Sequence, residues 1–408
     1  MADDTPHGAF PVREVVITGV GAVTPLGLGA RTLHERWSAG QSGITAGEGA
    51  CGDFNPTDFM SRKDARRADR FTQLALAAGA EALAEAGWSD ERPYHPDRVG
   101  SVIGSGIGGI GTIEQNHTQL QGERPVSPLA VPLMMGNAGA AALSLRYDLQ
   151  GPVFGVMSAC AAGGHAIGTA ARLIQHGDAD AVVTGGAEAA LTPLTRAAFS
   201  AMNALSVMGV SRPFDARRDG FVLSEGSAVL VLEDGDLARA RGARILGVVR
   251  GYGMTGDAHH LTAPDTEGRG GAKAIAGAMR DAGIGPADVT YVNAHGTSTP
   301  LNDRSETAAL KHALGDFAPR IPVSSTKSAI GHTLGASGAI EAVAMLLALR
   351  DGIAPPTLGW EEAEDGLDLD YVPNHAKPLC RDRPRIGLSN SFGFGGHNVT
   401  LCLEGTPA

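Results

Sequence analysis

Several residue types are scarce in this chain, and each shortage removes a class of function. Only four cysteines occur in 408 residues (Cys51, Cys160, Cys380 and Cys402), and no two form a CxxC pair. That spacing excludes a zinc ribbon and argues against a disulfide-built scaffold. Basic residues are outnumbered, with 33 Lys+Arg against 44 Asp+Glu, a net charge of −11. A nucleic-acid partner, which needs a broad basic face, is not expected. No apolar run approaches the roughly 18 residues of a membrane helix. The opening Met1–His7 carries two acids and no apolar run, so it does not read as a signal peptide. Charged residues are few (19%) but hydrophobic ones reach 43%, the composition of a chain with a large core. At about 150 residues per domain the length allows two or three domains, or one large α/β unit. A cytoplasmic enzyme with no membrane partner is the expectation.

Glycine, by contrast, is abundant at 57 residues, and it gathers where apolar runs end. Short apolar runs at Glu14–Val20, Arg98–Ile103, Val153–Met157, Ala181–Thr184 and Ala228–Glu233 read as strands. Phe71–Gly87 and Ala166–His176 have helical spacing and stop at glycine. Alternation of this kind predicts an α/β fold with parallel strands covered by helices. The order then recurs. Ala77–Gly104 resembles Ala274–His295, Phe154–His176 resembles Val323–Leu349, and Phe221–Glu233 resembles Leu388–Glu404. Three matches in one order predict two homologous halves, 1–245 and 246–408, with a period far longer than a solenoid unit.

Gly104-Ser-Gly106-Ile-Gly108-Gly109 follows a strand and matches a dinucleotide fingerprint. The segment after it, with Gly111, Glu114 and His117, does not read as a clean helix, and no acid ends a second strand about 20 residues on. Gly-rich packing is the better reading there, as it is for Gly19-Val-Gly21. A stronger signal is Ser158-Ala-Cys160-Ala-Ala-Gly163-Gly164-His165, a cysteine between an apolar strand and a helix. The free N–H groups and dipole of a helix N-terminus favour thiolate, the nucleophilic form. Such a nucleophile needs proton handling from elsewhere in the fold. His295, in Asn293-Ala-His295-Gly-Thr297-Ser-Thr299-Pro300, and His332, in Ser324-Ser-Thr-Lys327-Ser-Ala-Ile-Gly331-His332, both follow predicted strands. His165 reads as packing, and Asp257 with His259-His260 lacks a recognised metal spacing. Finally, Asn390-Ser-Phe392-Gly-Phe394-Gly-Gly-His397-Asn398 sets accessible glycine N–H groups between aromatics, which suits an oxyanion hole or a gate.

Together, and in this order, these four motifs resemble the elongating β-ketoacyl-acyl carrier protein synthases, and the resemblance spans essentially the whole chain. It implies the thiolase-like fold, two βαβαβαββ halves in a five-layer αβαβα sandwich. It implies decarboxylative condensation of malonyl-acyl carrier protein with an acyl chain held on Cys160. His295 and His332 would promote decarboxylation and stabilise the enolate. Lys327 would support His332, and Glu306 would pair with Lys327. The N–H groups of Cys160 and Phe394 would form the oxyanion hole, with Phe394 also the gate. Thr297, Thr299 and Phe392 would line the substrate arm. No cofactor or metal is implied, since phosphopantetheine of the carrier protein brings both substrates. The partners implied are acyl carrier protein and either a second copy or a chain-length-factor paralogue without the cysteine. The second alternative would make this chain the catalytic subunit of a type II polyketide or polyene synthase; a nicotinamide-dependent oxidoreductase is the remote one.

Two departures bear on substrate. The segment from Leu205 through Val207 to Pro213 looks shorter than its family counterpart, and His397 stands where threonine is frequent. The densest basic run, Arg62-Lys63-Asp-Ala-Arg66-Arg67-Ala-Asp-Arg70, would place Lys63, Arg66, Arg67 and Arg70 on one helical face. The resemblance makes it the docking patch for the acidic carrier protein.

Overall fold

A computed structural model describes residues 12–88, 92–380 and 383–407; the opening Met1–His7 lies outside them. Ten strands form a continuous path: β1 Val15–Thr24, β2 Val99–Gly104, β3 Val153–Val156, β4 Ala181–Glu188 and β5 Gly226–Asp234, then β6 Gly247–Gly256, β7 Val289–Asn293, β8 Val323–Ser324, β9 Arg385–Gly393 and β10 His397–Gly405. Their spatial order is β3-β2-β4-β5-β1-β6-β10-β9-β7-β8. Read from the centre outward the two sides match. β1–β5 and β6–β10 are antiparallel, as are β4–β5 and β9–β10. β2–β4 and β7–β9 are parallel, as are β2–β3 and β7–β8. Among the described residues the strands of the two sides pair only through Val16↔Val248 and Ile17↔Gly247 of β1 and β6, so two five-stranded sheets stack with helices between and outside them.

The helices that build the layers are α1 Arg70–Glu85, α2 Ala162–Gln175, α3 Arg269–Asp281, α4 Pro300–Leu314 and α5 Ser337–Asp351. α2 and α5 pack against each other in the middle layer; α1 covers the first sheet, and α3 with α4 covers the second. Residues Ser337–Arg350 of α5 are all buried, as expected of a helix that is apolar all round. The glycine pairs of the opening strands have a packing role. A Cβ on Gly19 or Gly21 would lie 2.0 or 2.1 Å from carbonyls of α1, and one on Gly251 or Gly253 2.3 or 2.0 Å from carbonyls of α3. Each outer helix therefore lies directly on backbone.

Three expectations change. The helix after the cysteine starts at Ala162, not Ala166, because Gly163 and Gly164 pack at the α2–α5 crossing, where Cβ atoms would meet Ala339 and Val399 at 2.7 Å. The counterpart of β9 is β4, not the run at Phe221; that run is an irregular segment bridging Leu205. The glycine-rich loop after β2 does lead into a helix, Ile110–Gln121. Its N–H groups are nevertheless taken by a protein carboxylate: Gly106 N–H and Ile107 N–H donate to Glu188 at 2.6 and 3.3 Å. A phosphate would have to displace that acid.

Candidate active site

Cys160 sits at the turn from β3 to α2, with Ala159 in the left-handed region at φ 50°. That tight turn puts the thiol two residues before the helix start, where the first helical N–H groups are unsatisfied. Burial pushes the thiol up to about 12, against the opposing pull of the Lys327 cation and the cysteine's own N–H; Glu188 and Glu341 push the same way as burial. The resting group is therefore a neutral thiol. The helix end acts on charge that develops during attack, not on a standing thiolate.

His295 and His332 come from the second half and face each other with ring centroids 5.5 Å apart at 83°. Both are buried, and burial holds both imidazoles well below 6.5, with the nearby Lys327 cation adding to the effect. His332 Nδ1 accepts the Leu334 N–H at 3.2 Å and lies 2.9 Å from Ser337 Oγ. Leu334 adopts φ 47° to present that N–H. His295 Nδ1 lies 3.2 Å from Lys327 Nζ. An ammonium has no lone pair, so it donates there. In both rings Nδ1 is an acceptor, which leaves the proton on Nε2. The pair is a set of two neutral Nε2–H donors.

One expected contact is corrected. Lys327 does not pair with Glu306: its Nζ bonds Glu341 and donates to the His295 carbonyl at 2.7 Å. Glu306 instead accepts from the N–H groups of His295 (2.8 Å) and Gly296 (2.7 Å) and from Asn390 Nδ2 (3.1 Å). Glu306 is thus engaged by three donors, and α5 delivers Glu341 beneath the four-residue helix that starts at Lys327. Lys327 acts on His332 through its charge, as expected, and also contacts His295 directly. Glu341 left a trace in the sequence, a lone acid inside the apolar run Ala339–Leu349. Asn390 left none beyond its motif, and Ser337 left none at all.

Cys160, His295 and His332 line one cavity of about 290 Å³, along with Thr297, Thr299, Phe392 and Phe394. Thr297 and Thr299 share a hydrogen bond at 2.9 Å, and Thr299 caps α4. Phe392 lies 5.8 Å from the His295 ring. Phe394 is partly exposed at the hairpin tip, and a Cβ on the preceding Gly393 would come 3.2 Å from Cys160 N. The glycine thus lets the hairpin backbone approach the cysteine. His165 Nδ1 bonds Ser158 Oγ at 2.8 Å, and its ring lies edge-on to Tyr252 and to His397. Asp257 is held by Asn398 at 2.6 Å, and His260 Nδ1 accepts the N–H groups of Thr262 and Ala263.

The basic run does not form one helical face. Ser61 caps a short helix, Arg62–Ala65, and the chain turns before α1. Arg70 points inward, paired with Glu225 at 2.6 Å and lying over Phe54. Lys63, Arg66 and Arg67 remain exposed. Asp64 is engaged by Ser61 and Asp69 by Thr112.

The stacked half-sheets and the Cys–His–His set define a thiolase-like condensing enzyme. The model for "Beta-ketoacyl synthase, N-terminal domain" matches residues 48–238 and that for the C-terminal domain matches 246–361. The 3-oxoacyl-[acyl-carrier-protein] synthase 2 of Synechocystis is 45% identical over 96% of this chain and 98% of its own length. The synthase of the same name from Vibrio harveyi is 46% identical over the same shares. Among solved structures, a β-ketoacyl synthase from Burkholderia phymatum superposes with TM-score 0.89 at 34% identity, covering 97% of this chain and 100% of that one. The ishigamide ketosynthase/chain length factor does so at 0.86 and 32%, covering 97% and 99%. The chain belongs to the β-ketoacyl synthase family and is an acyltransferase that elongates ketoacyl chains.

Proposed function

We propose that Cys160 carries the growing acyl chain and that His295 and His332 drive decarboxylation of a malonyl group on acyl carrier protein. The convergence of these three side chains on one cavity, both histidines with the proton on Nε2, supports this reading. Acyl transfer exchanges one thioester for another. Cys160 sulfur attacks the carrier-bound acyl carbon, the carrier's pantetheine sulfur leaves, and the cysteine proton ends on it. The malonyl arm then passes Thr297 and Thr299. Loss of CO₂ leaves an enolate whose oxygen accepts from the two Nε2–H groups, donors pre-set for charge that appears only at that step. The enolate carbon bonds to the acyl carbon, and the tetrahedral oxyanion is held by the N–H groups of Cys160 and Phe394. Its collapse frees the Cys160 thiolate, which takes a proton from water. Side chains, backbone and the two thioesters account for every electron pair, so the scheme calls on no resident cofactor.

Exposed Lys63, Arg66 and Arg67 supply a local positive patch on an acidic protein, the complement an acidic carrier requires. The β3 edge, with Val153, Met157, Val131, Met134 and Met135 exposed beside it, would extend the sheet into a second subunit. Unpaired strand edges of this kind seek a partner. Relatives at 44–46% identity, named 3-oxoacyl-[acyl-carrier-protein] synthase 2, favour the first reading, an elongating synthase, which we take to pair with a second copy of itself. The structural neighbours that contain a chain length factor favour the second reading, the catalytic half of a polyketide heterodimer. Purification separates them: a homodimer that condenses malonyl and acyl carrier proteins supports the first, and activity only alongside a Cys-less paralogue supports the second.

A further inference from the structure

We infer that Glu188 is a positioning residue for the condensation, clamping the loop that packs against Cys160 to the turn that carries His332. The inference rests on the roles assigned to Cys160 and His332 above.

Glu188 ends β4 and is fully buried. Its Oε1 accepts from Ser105 Oγ at 3.0 Å and Ile107 N–H at 3.3 Å, and its Oε2 from Gly106 N–H at 2.6 Å and Gly335 N–H at 3.0 Å. These donors belong to opposite halves of the molecule. The Ser105–Gly108 loop bears Ile107 and runs into Ile110, which clusters with Cys160, Phe221 and Leu334. Gly335 directly follows Leu334, whose N–H fixes His332 Nδ1. One carboxylate therefore sets the distance between the loop packed against Cys160 and a histidine donor. The contact is close: a Cβ on Gly335 would lie 2.0 Å from Gly106 N.

The charge of Glu188 works against the nucleophile, since it pushes the Cys160 thiol upward. Its contribution must then come from accepting four donors at once. A glutamine in its place has one acceptor oxygen, and its NH₂ would face an N–H group.

The two effects have opposite signs, and that makes them separable. In Glu188→Gln, iodoacetamide alkylation of Cys160, followed by peptide mass spectrometry, should shift to lower pH by about one unit. Condensation should fall by about tenfold to 100-fold in kcat, the size expected when a reacting group is misplaced by about an ångström. Glu188→Asp restores the charge, so its alkylation profile should return to that of the parent while condensation stays impaired. A residue that merely held the fold would lower alkylation and condensation together. Parent-rate condensation in Glu188→Gln, or an alkylation profile that falls with it, overturns the proposal. If neither variant folds, Ser105→Ala removes one donor and leaves the charge. It should lose condensation several-fold with an unchanged alkylation profile, and parent-rate condensation there is the overturning result. A parent enzyme that acyl-N-acetylcysteamine does not acylate at Cys160 would instead overturn the site assignment.

Discussion

The unit carrying Cys160 and the unit carrying His332 occupy equivalent places in the two halves, yet they present opposite chemistry. In the first, β3 passes through residues 157–161 straight into α2, and the thiol sits at the helix end. In the second, residues 325–336 intervene between β8 and α5, with a four-residue helix, Gly331 at φ 75° and Leu334 at φ 47°. The longer turn carries Lys327 down to Glu341 and swings His332 back toward the cysteine. The surroundings differ too: β3 is an exposed edge, whereas β8 is buried. A short turn at a helix end suits a nucleophile; a long, strained turn in a dry interior suits fixed neutral donors.

The comparison breaks most completely at the nucleophile. Cys160→Ala should lower condensation by a factor on the order of 10³ or more, and acyl label from a carrier-bound substrate should map to Cys160 and not to Cys51, Cys380 or Cys402. Retained activity, or label elsewhere, would remove the first unit from the mechanism. Next, His295→Ala and His332→Ala should each cost malonyl decarboxylation about 10²–10³-fold while Cys160 acylation persists. Burial holds both rings well below 6.5, so they stay neutral and decarboxylation should show no acid limb near that value. A limb there would mean that one imidazole is charged in the parent.

Stability should separate the two acids that sequence reasoning confused. Lys327→Ala leaves Glu341 buried without its partner and should cost about 3–5 kcal/mol in denaturant unfolding. Glu306→Gln keeps one acceptor oxygen and should cost less, about 1–3 kcal/mol; equal losses would return Glu306 to the lysine pair. The smallest effect is expected at the surface. Reversing Lys63, Arg66 and Arg67 to Glu should raise KM for carrier-bound substrate, most at low salt, and leave turnover of an N-acetylcysteamine thioester unchanged. Equal losses with both substrates would place the patch in the fold or the pocket.

Much of this molecule is legible without coordinates. Strand and helix order followed from apolar runs ended by glycine, and the doubling of that order announced two halves. The four motifs brought Cys160, His295, His332 and Phe394 into view because each is a short, local pattern of unusual residue types. Failures came where a contact depends on which elements stack. Helical spacing placed Arg70 beside Lys63 and Arg66, but a Ser61-capped turn and the buried Glu225 drew it inward. The resemblance tied Lys327 to Glu306, but Glu306 accepts from the His295 and Gly296 N–H groups while Lys327 turns to Glu341.

By itself, then, the sequence determined the alternation of elements, their doubled order and the side chains proposed to react, since these reside in local pattern and chemical type. Only the tertiary structure decided the partner of Lys327, the Nε2–H form of both histidines, the upward push on the Cys160 thiol and the four donors gathered on Glu188. Each depends on burial and on donors from distant segments, and no spacing along the chain encodes how two sheets come to rest against one another.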